Sequence, residues 1–172
     1  TRNQGGVAMT YPKAAVDKAF SLLPSSWDSR LARIQHAAIG FQETKFKERR
    51  QLVSKDGKLV PEGPAVSYWQ FENGRLAGIN GVLTHRATAE HAKKVCAYCG
   101  VIPDRMAVWG RMQTDDVLGA AFARLLMYTD PERLPANERE GWAMYLRTWR
   151  PGKPHPESWP ASYAAAIKAI AG

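Results

Sequence analysis

The chain has 172 residues, 45% of them hydrophobic and 23% charged, a balance ordinary for one globular domain spanning 1–172 with a well-buried core. Twenty-four Lys and Arg against sixteen Asp and Glu give a formal charge of +8, so the long-range field favours polyanions: nucleic acid, anionic lipid or bacterial wall polymer. No run reaches the roughly 18 apolar residues of a membrane span, and the first 30 residues lack the order of a secretory signal, so the chain as given is expected to be soluble and not self-exporting.

Residues 1–10 are polar and Gly-containing, which predicts a flexible start. With no initiator Met at Thr1, either Met9 is a native start behind added residues or an upstream segment has been removed. From Pro12, the spacing of Val16, Ala19, Phe20 and Leu23 predicts a short amphipathic helix closed by Pro24. Ser25-Ser26-Trp27-Asp28 offers N-cap candidates for a second helix running to about Lys47, with Leu31, Ile34, Ala38 and Phe41 as one apolar stripe.

A second stripe on that helix contains Ile39, Glu43 and Phe46, with His36 two turns before Glu43 on the same side. A helix apolar on two faces is buried, so a carboxyl there loses hydration and its pKa rises. That keeps a carboxylic acid protonated near neutral pH and able to donate its proton. The plainer reading of Glu43 is a solvated residue or an ion-pair partner of Lys47 or Arg50.

Gln51 to Ser54 and Lys58 to Val60 are β-prone runs joined through Lys55-Asp56-Gly57, a hairpin signal. After Pro61-Glu62-Gly63-Pro64, the run Ala65 to Phe71 carries Tyr68, Trp69 and Phe71 around the amide of Gln70. Aromatic faces beside an amide suit stacking on sugar rings and hydrogen bonding to their substituents; core packing is the plainer alternative.

A Glu at a helix end, a hairpin, then Gly63-Pro64-Ala65-Val66-Ser67-Tyr68-Trp69-Gln70-Phe71 resembles the lysozyme-like superfamily, above all phage and bacterial peptidoglycan lytic transglycosylases and goose-type muramidases. Glu43-Thr44-Lys45-Phe46 stands where that family has a Glu-Ser-x-Phe type segment. Ser67-Tyr68-Trp69-Gln70 stands where it has Gly-Leu-x-Gln, with Ser67 at the usual Gly and Tyr68 at the usual Leu. The resemblance implies an α+β, mainly α-helical fold with a small hairpin after the catalytic helix, Glu43 as catalytic acid, and Ser67, Tyr68 and Gln70 as substrate-binding residues.

Gly74 to Gly81 reads as a loop, followed by a helix from Leu83 to Ala97 ended by Gly100 and Pro103. Cys96 and Cys99 suit a redox pair, half of a zinc site completed by His85 and His91, or two reduced core thiols; the last is favoured, and no metal or cofactor is expected. Met106, Val108 and Trp109 form a short core-facing segment. Thr114-Asp115-Asp116 caps a helix through Val117, Ala120, Ala121, Arg124, Leu125 and Tyr128. Asn137 caps a further helix bearing Trp142, Tyr145, Leu146 and Trp149, and a Pro-rich link through His155 leads to a last helix from about Ser158 to Ile170.

Tyr145 and Trp149 share one helix face. The lysozyme-like enzymes place an aromatic residue of a late helix near the acid, so the resemblance makes Tyr145, with Trp149, substrate-binding. It also implies cleavage of the β-1,4 bond between N-acetylmuramic acid and N-acetylglucosamine. One route is lytic transglycosylation by a lone Glu43; the other is hydrolysis with a second carboxylate, for which Asp56, Glu62 and Glu72 are candidates. The resulting expectation is a monomeric phage endolysin or virion-associated lysin, made in the host cytoplasm, meeting peptidoglycan strands in the periplasm through a holin or virion delivery, with no nucleic acid as partner. A non-enzymatic basic protein, binding nucleic acid or serving as a phage structural part, is the competing class. It would rest on the Arg-rich stretches Lys47 to Arg50 and Arg147 to Arg150. A glycosidase of chitin-like polymers is the third reading.

Overall fold

The computed structural model describes residues 11–172; the predicted flexible start, Met9 included, lies outside the described residues. Along the chain come α1 (Lys13–Ser21), α2 (Arg30–Thr44), the strands β1 (Val53–Lys55) and β2 (Lys58–Val60), then α3 (Gly78–Thr84) and α4 (Ala89–Cys99). After these follow α5 (Arg105–Met112), α6 (Asp116–Tyr128), α7 (Glu138–Trp149) and α8 (Trp159–Ala171). The fold is α+β and mainly helical, with one two-stranded antiparallel sheet among the described residues. No helix among them is long and apolar enough to cross a membrane.

α6 forms the axis of the core: every residue from Leu118 to Met127 is buried, as expected of a helix apolar nearly all round. It packs against α1, α3, α4 and α5, while α2 lies along α8. Asp115 starts α6 by accepting the Leu118 N–H at 3.0 Å, and Asp116 is turned aside to pair with Arg49. Asn137 caps α7 in the same way through the Glu140 N–H at 2.9 Å.

α2 differs from expectation at both ends. Its cap is Ser29, which accepts the Ala32 N–H at 3.1 Å; Ser25–Trp27 form a 3-10 turn, and Asp28 takes the guanidinium of Arg33. The helix stops at Thr44, short of Lys47, because Lys45 and Phe46 adopt φ of 53° and 55°. Leu31, placed on the apolar stripe, is exposed.

The hairpin pairs Val53 with Val60, Ser54 with Leu59 and Lys55 with Lys58. Asp56 and Gly57 at its tip have φ of 51° and 74°, the two positive values that the favoured two-residue turn needs.

The predicted loop at 74–81 and helix at 83–97 need correction. α3 already begins at Gly78, whose missing side chain lets the helix approach Phe71 and Leu126; a Cβ would lie 3.0–3.1 Å from both. The glycine there serves close packing. The helix then breaks at His85, where the Thr88 hydroxyl donates to the Val82 carbonyl at 2.7 Å and the His85 ring accepts the Ala87 N–H. Met106 is exposed, whereas Val108 is fully buried.

Cys96 and Cys99 are buried free thiols. Burial pushes Cys96 up to about 11 and Cys99 up to about 12, which holds both protonated and unreactive. Among the described residues no group of three or more His, Cys, Asp and Glu is placed to hold a metal ion.

Candidate active site

The site is built where the end of α2 meets the turn after the hairpin. With Lys45 and Phe46 in the left-handed region the chain reverses, and the Phe46 ring folds back onto Gly40, which has no Cβ to obstruct it. Phe46 is therefore buried beside the helix and does not continue its stripe. The Thr44 hydroxyl ties this end down: it donates to the Tyr68 carbonyl at 2.8 Å and accepts the Phe46 N–H at 3.2 Å.

Residues 67–70 form a tight turn closed by paired hydrogen bonds between Val66 and Phe71, at 2.9 and 2.7 Å. Ser67 and Gln70 both have positive φ, at 71° and 56°. This geometry sends Ser67 inward against Gly119, where its hydroxyl accepts the Trp69 N–H at 3.2 Å. Tyr68 is also buried, packed on Phe46 and under the Arg49 guanidinium. Neither side chain, though expected to bind substrate, is on the lining of the cleft beside Glu43; both are packed in the interior. Gln70 and Phe71 do line it.

α7 supplies the opposite wall. Tyr145 is stacked on Trp159 and donates its hydroxyl to Glu43 Oε1 at 2.6 Å. The Trp149 indole donates to the Trp69 carbonyl at 2.8 Å, which pins α7 to the turn. The structure thus brings Glu43, Gln70, Tyr145 and Trp149 into one cleft of about 880 Å³, with Glu72 on the same lining. Asp56 sits at the hairpin tip and Glu62 pairs with Lys55, both outside it. His36, two turns before Glu43 on α2, is fully buried, with Nε2 2.9 Å from the Ala120 carbonyl oxygen; burial pushes it down to about 3 and keeps it neutral.

Glu43 is partly buried, and desolvation raises its carboxyl from 4.5 to about 7, with the Tyr145 hydroxyl pulling the other way. Tyr145 is itself pushed well above the usual phenol range by burial and by Glu43, so it acts as a donor. A carboxyl near 7 has both its protonated and its ionised form accessible around neutral pH, which serves both proton donation and proton abstraction. Tyr145→Phe removes the one bond that favours the charged form, so the Glu43 midpoint rises above that of the wild type. A carboxyl NMR titration reads this directly, and an unchanged or lower midpoint would refute the role assigned to the bond.

No known family model, curated protein or solved structure matches this chain. The function therefore rests on the residues and the geometry of the cleft.

Several cleft residues carry no motif in the sequence. Gln42 donates to the His155 carbonyl at 3.1 Å and to Ser158 Oγ at 2.9 Å, holding the Pro-rich link against α2. Its position beside Glu43 is the only sequence signal for it. The Arg-rich stretches are largely committed within the chain: Arg49 to Asp116, Arg50 to Gly63 and Gln113, Arg147 to Asp130. Arg150 is different, because its only hydrogen-bonded partner among the described residues is the Leu76 carbonyl, at 2.6 Å across the cleft rim.

Proposed function

We propose that the chain is a peptidoglycan-degrading enzyme of lysozyme-like type, cleaving the β-1,4 bond between N-acetylmuramic acid and N-acetylglucosamine with Glu43 as general acid and base. The observation that carries this is a single carboxyl raised to about 7, held by a tyrosine at 2.6 Å in an open cleft lined by aromatic and amide groups. Protonated Glu43 donates to the glycosidic oxygen as the bond breaks. Ionised Glu43 then takes the proton of the muramyl C6 hydroxyl, whose oxygen closes a 1,6-anhydro ring on the anomeric carbon. Tyr145 orients the carboxyl through both steps.

Hydrolysis is the second reading, favoured by one observation: Glu72 lines the same cleft and is the one carboxylate on that lining besides Glu43. Incubating the protein with purified sacculi and weighing the released muropeptides separates the two. Transglycosylation leaves products one water lighter than hydrolysis. Intact sacculi after prolonged incubation would reject the enzyme itself. A phage endolysin or virion-associated lysin, reaching the periplasm through a holin or with the virion, is the setting that suits such an activity.

A further inference from the structure

The lining of the cleft carries three cations with no carboxylate partner among the described residues. Most carboxylates on the described chain are matched: Asp17 with Lys13 and Arg33, Asp28 with Arg33, Asp116 with Arg49, Asp130 with Arg147. Arg75, Arg150 and Lys153 line the cleft, and none of them has an ion-pair partner among the described residues. They come from two segments, Arg75 just before α3 and the others from the turn after α7. The bond from Arg150 to the Leu76 carbonyl joins these segments at the rim.

We propose that Arg75, Arg150 and Lys153 bind carboxylates carried by the substrate, so that the cleft takes a peptide-substituted, anionic glycan in preference to a neutral one. The inference rests on the glycan-cleaving reading above and names its substrate class. Besides Glu43, the cleft lining carries one carboxylate, Glu72, against these three basic side chains, so its local charge favours an anionic ligand. A neutral N-acetylglucosamine polymer has no negative charge to offer them. Carboxylates on the peptide stems do, through charge-assisted hydrogen bonds to guanidinium and ammonium groups. The arrangement also protects the chemistry. Burial raises the Glu43 carboxyl, the Tyr145 hydroxyl alone pulls it down, and none of the three cations is among the causes, so they can hold the substrate's charge without driving off the proton Glu43 must donate.

The test uses Glu43→Gln as a binding-only form and compares three probes: peptide-bearing glycan strands, the same strands with carboxyls converted to amides, and a neutral N-acetylglucosamine hexamer. The peptide-bearing strands bind about tenfold tighter than the amidated ones at low salt, and the difference shrinks as salt rises. Adding Arg75→Gln and Lys153→Gln, neither of whose side chains has a hydrogen-bonded partner among the described residues, brings the two strands within about twofold of each other. Comparing two ligands on one variant keeps a folding defect from imitating the result. Equal binding of amidated and native strands by Glu43→Gln, a preference that survives the double change, or no binding to any probe would each overturn the inference. Wall lysis by the wild type is read separately: lysis lost in Glu43→Gln with no carboxylate preference rejects this inference and leaves the proposed function standing.

Discussion

Glu43→Gln abolishes wall lysis and at the same time stabilises the fold above neutral pH. Gln keeps the shape of the side chain and an oxygen to accept the Tyr145 hydroxyl, but it has no proton to give. General acid–base catalysis contributes about 10²- to 10⁴-fold, and here one group serves both steps, so a turbidity assay on permeabilised Gram-negative cells shows no lysis. The stability change has the opposite sign. A carboxyl whose pKa rises from 4.5 unfolded to about 7 folded opposes folding once ionised. Its neutral form is fully tolerated below about 4.5, stability is lost as pH climbs towards 7, and the loss then levels off. The shift corresponds to about 3 kcal/mol at most. Glu43→Gln escapes that penalty, so denaturant melts of the two proteins coincide at pH 4 and separate by pH 8. Retained lysis would end the catalytic assignment. Melts that stay coincident at pH 8 would show that Glu43 is hydrated and its acidity ordinary.

Such a pairing of lost activity with gained stability would mark a residue kept for chemistry at the expense of the fold. It also explains how Glu43 came to be readable in the sequence. A carboxylate set among apolar residues on a helix departs from the local pattern, and such departures gather at functional sites. The mechanism of its burial was not readable in the same way. The spacing of Ile39, Glu43 and Phe46 points to one helical stripe, yet Phe46 leaves the helix through two left-handed residues and packs on Gly40. Lys45 and Phe46 are not residues that announce positive φ, so the reversal is imposed by packing. Local signals worked where chemistry is local. Asp56-Gly57 set the hairpin, and Asp115 and Asn137 set their helix starts. They failed where long-range packing decides. Gly78 looks like a loop residue and is helical because Phe71 and Leu126 press against it. Ser67 and Tyr68 look like groove residues and are buried because the turn rotates them inward. The cations at the rim come from segments about 75 residues apart, and no spacing in the sequence brings them together.

Trp69→Ala costs about 3–5 kcal/mol, the range for removing a large buried aromatic side chain, and takes much of the typical stability of a domain with it. Trp69 has no exposed surface. Its ring packs on His36 at 4.7 Å and on Phe46 at 5.5 Å, and its indole N–H donates to the His36 carbonyl at 2.9 Å. Its own carbonyl accepts the Trp149 indole, so one residue joins α2, the wall turn and α7. Because Gln70 and Phe71 follow it directly, losing the anchor loosens the cleft wall as well as the core, and lysis falls with stability. Trp69→Phe separates the two contributions. It restores much of the apolar volume and lacks only the indole bond and the outer ring, so it recovers most of the loss and remains about 1–2 kcal/mol below wild type. Urea denaturation of both variants checks the ordering. If Trp69→Ala unfolds within about 1 kcal/mol of the wild type, the turn is held by its backbone bridge between Val66 and Phe71, and Trp69 is not the pin of the site.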